Sequence, residues 1–157
     1  MKKRILTAVL AAALVTGTCA ATVSAKEEKT YTIGICQLVQ HDALDAATKG
    51  FEDAITEKMG DSVKFDEQNA QGDSNTCSTI INSFVSEGAD LILANATASL
   101  QAAAAGTSDI PILGTAVTEY GVALGIDDFD GTVGGNISGT SDLAPLDEQA
   151  DMLHRFG

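Results

Sequence analysis

The residues best placed to do chemistry are polar and uncharged: Gln37, Gln71, Asn95, Thr97, Ser99, Thr115 and Thr118. Amides and hydroxyls of this kind orient a small polar ligand by hydrogen bonds and leave its covalent bonds alone. The patterns that break bonds are missing. No GxGxxG follows Ile33-Gly34-Ile35, and GxxxxGK[ST], GxSxG, HExxH and CxxC are all absent. His41 and His154 are the only histidines, and His154 lies in the last residues, so neither a histidine metal site nor a catalytic triad is expected. The residues therefore point to binding without catalysis and without a cofactor or metal. The competing reading is structural: serine and threonine at helix starts satisfy backbone N–H groups, and this reading is the stronger one for Ser99.

Those residues gain meaning from the elements that must carry them. Tyr31–Cys36 reads as a strand, and a helix follows from Asp42, as cap, to Met59, with Ala43, Ala46, Ala47, Phe51, Ala54 and Ile55 at three- and four-residue spacings. Ser62–Asp66 is a second strand and Gln68–Asp73 a polar turn. Asp73 or Ser74 caps a helix to Glu87, with Ile80, Ile81, Phe84 and Val85 inward and Gly88 at its end. Asp90–Leu93 is a third strand, broken at Ala94-Asn95-Ala96, before an alanine-rich helix that Thr97 and Ser99 open. Ile110–Thr115 is a fourth strand, residues 116–135 are irregular, Asn136–Thr140 is a fifth strand, and Pro145–Leu153 begins another helix. Repeated strand–helix units call for a parallel sheet covered by helices on both faces. In such sheets ligands bind beyond the carboxyl ends of the strands. Gln37–His41, Gln68–Asp73, Asn95–Ser99 and Thr115–Glu119 all fall there. The helix opened by Thr97 presents free N–H groups and the positive end of its dipole, which suits an anionic group.

Residues 1–25 stand apart. Lys2-Lys3-Arg4 is basic, Ile5–Val15 is apolar but too short to span a bilayer, and Val23-Ser24-Ala25 offers a small-x-small cleavage site. This is the pattern of a secretory signal peptide. Thr16-Gly17-Thr18-Cys19 is a poor lipobox, which leaves lipidation at Cys19 as the rival to cleavage after Ala25. An exported product is expected, in the periplasm or on the outer face of the membrane. Without residues 1–25, six basic residues face 22 acidic ones, a net charge of −16. Such a chain is repelled by nucleic acid and by anionic lipid. Over all 157 residues, 45% hydrophobic content and a mean hydropathy of +0.11 indicate a globular chain. Cys36 and Cys77 are either two small buried residues or one bridge, and sequence does not decide between them.

One stretch is familiar. Ile33-Gly34-Ile35-Cys36-Gln37-Leu38-Val39-Gln40-His41-Asp42-Ala43-Leu44-Asp45 resembles the IGI-Q-hydrophobic-x-HPALD opening of bacterial ABC-transporter substrate-binding proteins of the tryptophan/tyrosine type. Gln68–Asp73, Asp90–Ala94 with Ala96-Thr97, Gln101–Ala105, Ile110–Leu113, Thr115–Thr118 and Gly134–Asp142 continue the resemblance in order over almost all of residues 31–153. Asp42 stands where the family often has proline, Ser99 where it has a small apolar residue, and Glu119-Tyr120 where Asp-Pro is usual.

The resemblance implies a periplasmic-binding-protein-like type I fold, α/β, built from two lobes that close on a ligand. Residues 26–137 would be the N-terminal Rossmann-like lobe with its parallel sheet. Residues 138–157 would be the crossover and the start of a second lobe, truncated here, since His154-Arg155-Phe156-Gly157 does not match the family's continuation. It also implies Gln37, His41, Gln71, Thr97, Thr115, Val117 and Thr118 as lobe-one cleft residues, with Ser99 beside them. An amino-acid carboxylate would sit at Thr97, and Leu38 and Val117 would line the side-chain pocket. The implied partners are a small-molecule ligand, with an amino acid favoured over a sugar, and the permease of an importer; the protein would be a monomer that binds no nucleic acid. A receptor ectodomain of the same fold and a small α/β enzyme are the alternatives.

Overall fold

A computed structural model describes residues 29–156; the expected signal peptide, residues 1–25, and Cys19 lie outside the described residues. Five strands, β1 (Tyr31–Gln37), β2 (Val63–Asn69), β3 (Leu91–Asn95), β4 (Ile112–Val117) and β5 (Ile137–Ser141), form one sheet in the order β2-β1-β3-β4-β5. All four pairings are parallel. The order reverses between β1 and β3, and a doubly wound sheet opens its ligand crevice at such a point. The helices are α1 (Asp42–Met59), α2 (Ser74–Glu87), α3 (Thr97–Gly106), the short α4 (Tyr120–Leu124) and α5 (Leu146–Phe156).

The two faces of the sheet carry different cores. Ile33, Ile35 and Leu93 pack with Phe51 and Ile55 of α1 and with Phe65. Cys36, Ile92, Ala94 and Ile112 pack on the opposite face with Cys77, Ile80, Ile81 and Phe84 of α2 and Leu100 and Ala103 of α3. A Cβ on Gly34 would meet the Phe84 ring at 2.5 Å, so glycine there lets α2 lie close on β1.

The expected alternation of strand and helix is present, with shifts that have physical causes. The polar strand ends Gln37, Gln68, Asn69 and Asn95 belong to strands, because parallel pairing carries the ladder to Gln37↔Asn69 and Gln37↔Asn95. β4 starts after Pro111, which has no N–H for the ladder, and runs on to Val117. The stretch expected to be irregular holds α4, capped by Glu119, whose carboxylate accepts from the N–H groups of Gly121 and Val122. The cap of α1 is His41 and not Asp42: its Nδ1 accepts from the Ala43 N–H at 3.2 Å. On α1 the inward face is Leu44, Ala47, Thr48, Phe51 and Ile55, whereas Ala43, Ala46 and Ala54 are exposed. On α2, Val85 faces solvent and Cys77 takes the inward place.

Candidate functional site

Four turns meet at the carboxyl edge of the sheet: Leu38–His41, Ala70–Asp73, Ala96–Thr97 and Thr118–Glu119. They are tied to one another through the backbone. Leu38 N–H donates to Asn95 O, Ala70 N–H to Gln37 O, Gly72 N–H to Leu38 O and Ala96 N–H to Thr115 O. Of the four non-glycine residues with positive φ among the described residues, three lie on this edge: Gln71 (54°), Ala96 (94°) and Ala116 (52°). Ala96, with ψ 162°, occupies a region that is essentially reserved for glycine and costs about 1–3 kcal/mol. Strain of this kind gathers where backbone groups must be aimed.

At Ala96 it aims the start of α3. Helices α1, α2 and α4 are each capped by a side chain, from His41, Asp73 and Glu119, and α3 has no side-chain cap. Its first-turn N–H groups therefore keep their hydrogen-bonding capacity at the exposed Thr97. Carboxylates near the edge are already employed. Asp73 holds the start of α2 through Thr76, and these hydrogen bonds lower its pKa. Asp45 accepts from Gln37 Nε2 at 2.6 Å and from the His41 N–H at 3.4 Å.

The expected site residues divide into two groups. His41, Gln71, Thr97 and Thr118 are exposed and Thr115 is half-buried, all on the carboxyl edge. Gln37, Ser99 and Val117 are buried and face inward. Gln37 sits in a closed polar network: its Oε1 accepts from Thr48 Oγ1 at 2.7 Å, and Asn95 Nδ2 donates to Thr48 Oγ1 at 2.9 Å and to Leu44 O at 2.8 Å. It ties the end of β1 to α1 and thereby positions the His41 turn. The Ser99 hydroxyl lies between two thiols, 3.6 Å from Cys36 Sγ and 3.7 Å from Cys77 Sγ, on the side of α3 away from the edge. Both thiols are free, and burial pushes that of Cys36 up to about 12. Val117 joins the core against α3 and α4. A β-bulge is the reason: Gly114 pairs with Gly139 and Val117 with Ser141, so β4 carries one residue more than β5 in this interval. The extra residue shifts the alternation and turns Val117 inward.

Thr48 is the residue that sequence reasoning passed over, and Asn95, singled out for its polar side chain, is buried behind the edge. Asn95 Oδ1 is a buried side-chain atom without a hydrogen-bond partner. The signal was there: Gln37, Asn95 and Thr115 share one register row, and Thr48 interrupts the apolar stripe of α1. Two cavities touch the edge at one end. A hollow of about 580 Å³ lies beside β5, lined by Glu119, Tyr120, Phe129 and Leu143 among others, and a groove of about 310 Å³ on the α1 face includes Thr115. The remaining candidates stand on an open ledge. Among the described residues no cluster of metal-ligating side chains occurs, and no helix is long and apolar enough to cross a membrane.

The family model for ABC transporter substrate binding proteins matches residues 32–156. A tyrosine-binding protein of Clostridioides difficile (strain R20291) is 46% identical over 129 residues, which is 80% of this chain and 37% of that protein. The ligand-free, open structure of a substrate binding protein with adhesive properties from Clostridium difficile superposes with a TM-score of 0.73 at 43% identity, over 81% of this chain and 44% of that one. An ABC domain from Streptococcus pneumonia, in complex with L-Trp, gives 0.72 at 33% identity, over 80% and 43%. The chain thus spans less than half the length of these relatives, and its fold is a single lobe of the periplasmic-binding-protein type.

Proposed function

Because this chain belongs to the ABC transporter substrate-binding protein family, we propose that its carboxyl edge is one wall of an amino-acid cleft, in the extracytoplasmic binding component of an importer. The ligand is an aromatic amino acid of the tyrosine or tryptophan class, in line with one relative named for tyrosine binding and another solved with L-Trp. Because β5 belongs to the sheet, the lobe reaches Ser141 and not residue 137, and the crossover toward a second lobe, which brings the opposite wall, starts after it. The observation that carries the reading is the uncapped, strained start of α3 at Ala96-Thr97.

A ligand carboxylate accepts hydrogen bonds from the first-turn N–H groups of α3 and lies at the positive end of the helix dipole. Thr115, Thr118 and Gln71 flank it with neutral hydrogen-bonding groups, and His41 closes the side of α1. Leu38, partly buried against the core, offers apolar surface to the ring. Val117 and Ser99 act from behind, through packing. The chain performs no bond chemistry on its ligand and delivers it to a permease, as a monomer.

A thermal-shift titration with L-tyrosine and L-tryptophan tests this. At one hundred times Kd either ligand stabilises by about 2.7 kcal/mol. Thr97→Asp is the decisive variant. An acidic residue in the first turn of a helix stabilises it, so its own Tm should hold or rise, while its repulsion of the ligand carboxylate abolishes the shift. Retained ligand shifts in Thr97→Asp, or none in the parent at millimolar amino acid, would overturn the reading.

A further inference from the structure

The carboxyl edge and the end of β5 are joined by a latch. Ser141 Oγ donates to Thr118 O at 2.8 Å, Asp142 N–H to Val117 O at 3.1 Å, and Tyr120 Oη to Thr140 O at 3.3 Å. All three acceptors or donors on the β4 side belong to the turn that follows the Ala116 bulge. Tyr120 is 5% exposed, and its ring crosses the paired glycines Gly114 and Gly139. A Cβ on either glycine would overlap the phenolic oxygen, and a Cβ on Gly139 would also overlap the Gly114 backbone. Beyond its ladder to β4 the strand has few buried side chains to hold it: of β5 only Ile137 is part-buried, and Ser138–Ser141 are exposed. A strand with so few buried apolar contacts opens readily unless something pins it.

We infer that Tyr120 is a positioning residue: its phenol, seated in the Gly114–Gly139 notch, makes the Thr115–Tyr120 turn and the chain's exit at Thr140–Leu143 move as one body. The inference rests on the proposed function in one respect. A ligand seated against Thr115 and Thr118 thereby sets the direction in which the chain leaves the lobe. A ligand can shift an equilibrium only through differential contact with its two states, and the latch supplies that contact at a distance from the ligand.

Amide hydrogen exchange of the Asp142 N–H reads the latch without ligand. In Tyr120→Phe, which keeps the ring and removes the hydroxyl, exchange over Gly139–Asp142 should accelerate at least fivefold while β1 and β3 amides hold their rates. Gly139→Ala, which expels the phenol, should do the same, and the β1 and β3 amides report whether either variant has kept its fold. Unchanged Asp142 exchange in both variants overturns the inference. With saturating L-tryptophan, amides at Thr97–Leu100 and at Gly139–Asp142 should both slow in the parent. In Tyr120→Phe the slowing at α3 should persist, and that at β5 should fall at least threefold. Equal slowing at β5 in parent and variant overturns the coupling. Absence of slowing at α3 in the parent refutes the amino-acid reading instead and leaves the ligand-free arm to decide the latch.

Discussion

Ala96 is the residue whose conformation costs most and explains most. Glycine in its place relieves about 1–3 kcal/mol of strain against about 0.4–1 kcal/mol of added unfolded-chain entropy. Ala96→Gly should therefore raise stability by about 1 kcal/mol in a denaturant melt, and Ala96→Val should lower it; a loss in the glycine variant would show the strain to be absent. The interior thiols give a second expectation. Buried and held far above neutrality, Cys36 should resist a thiol-alkylating reagent at pH 8 in the folded protein and react once urea unfolds it. Sequence located the edge residues Thr97, Thr115 and Thr118 because each follows an apolar run. It missed the direction of Ser99 and Val117. The first depends on the rotation of the first turn of a helix, and the second on one inserted residue, and neither leaves a periodic trace.

At the scale of elements, α1 is held to the sheet by polarity as much as by grease. Thr48 is the only fully buried residue of α1, and it bridges Gln37 and Asn95. Thr48→Val keeps the shape, removes the hydroxyl, leaves Gln37 Oε1 with only the 3.4 Å contact from Asn95 Nδ2 and takes one of two short partners from Asn95 Nδ2. The expected cost is about 1–3 kcal/mol by equilibrium unfolding, with faster amide exchange at His41 as the local sign. A loss below a few tenths would mean that the network is dispensable. Against α2, Gly34→Ala should cost about 1–3 kcal/mol by overpacking on Phe84. The alternation of elements was legible, because hydrophobic period and end signals agree with the fold over α2 and α3. The inward face of α1 was less so, since its alanines fall on the exposed side as well as the buried one and its one polar anchor, Thr48, reads as surface.

For the molecule as a whole, charge sets the working range. A net charge of −13 repels itself at neutral pH, so Tm at pH 7 should rise as salt screens it. Acid acts the other way on two fixed carboxylates. Lys29 and the Thr32 N–H lower the pKa of Asp90, as Thr76 lowers that of Asp73. A carboxylate depressed in the folded state stabilises fully above its unfolded value of about 4, and that stability is lost as pH falls through the folded value. Asp90→Asn should thus be less stable than the parent at pH 7, with the gap closing below pH 4; a gap unchanged at pH 3 would remove the clamp from the account. The parallel sheet and its ligand edge were legible from strand–helix repeats. The strand order, the bulge and the latch were not, because contacts between residues far apart in the chain leave no local pattern.

The Ser99 hydroxyl between Cys36 and Cys77 sets a race in time. The family works outside the cytoplasm, where unfolded thiols meet oxidants. A chain that emerges slowly exposes both sulfurs before β1, α2 and α3 converge. A bridge formed first would have to be accommodated where both sulfurs now meet the Ser99 hydroxyl. The order in which folding and oxidation occur thus decides whether the Ser99 hydroxyl keeps both of its sulfur partners.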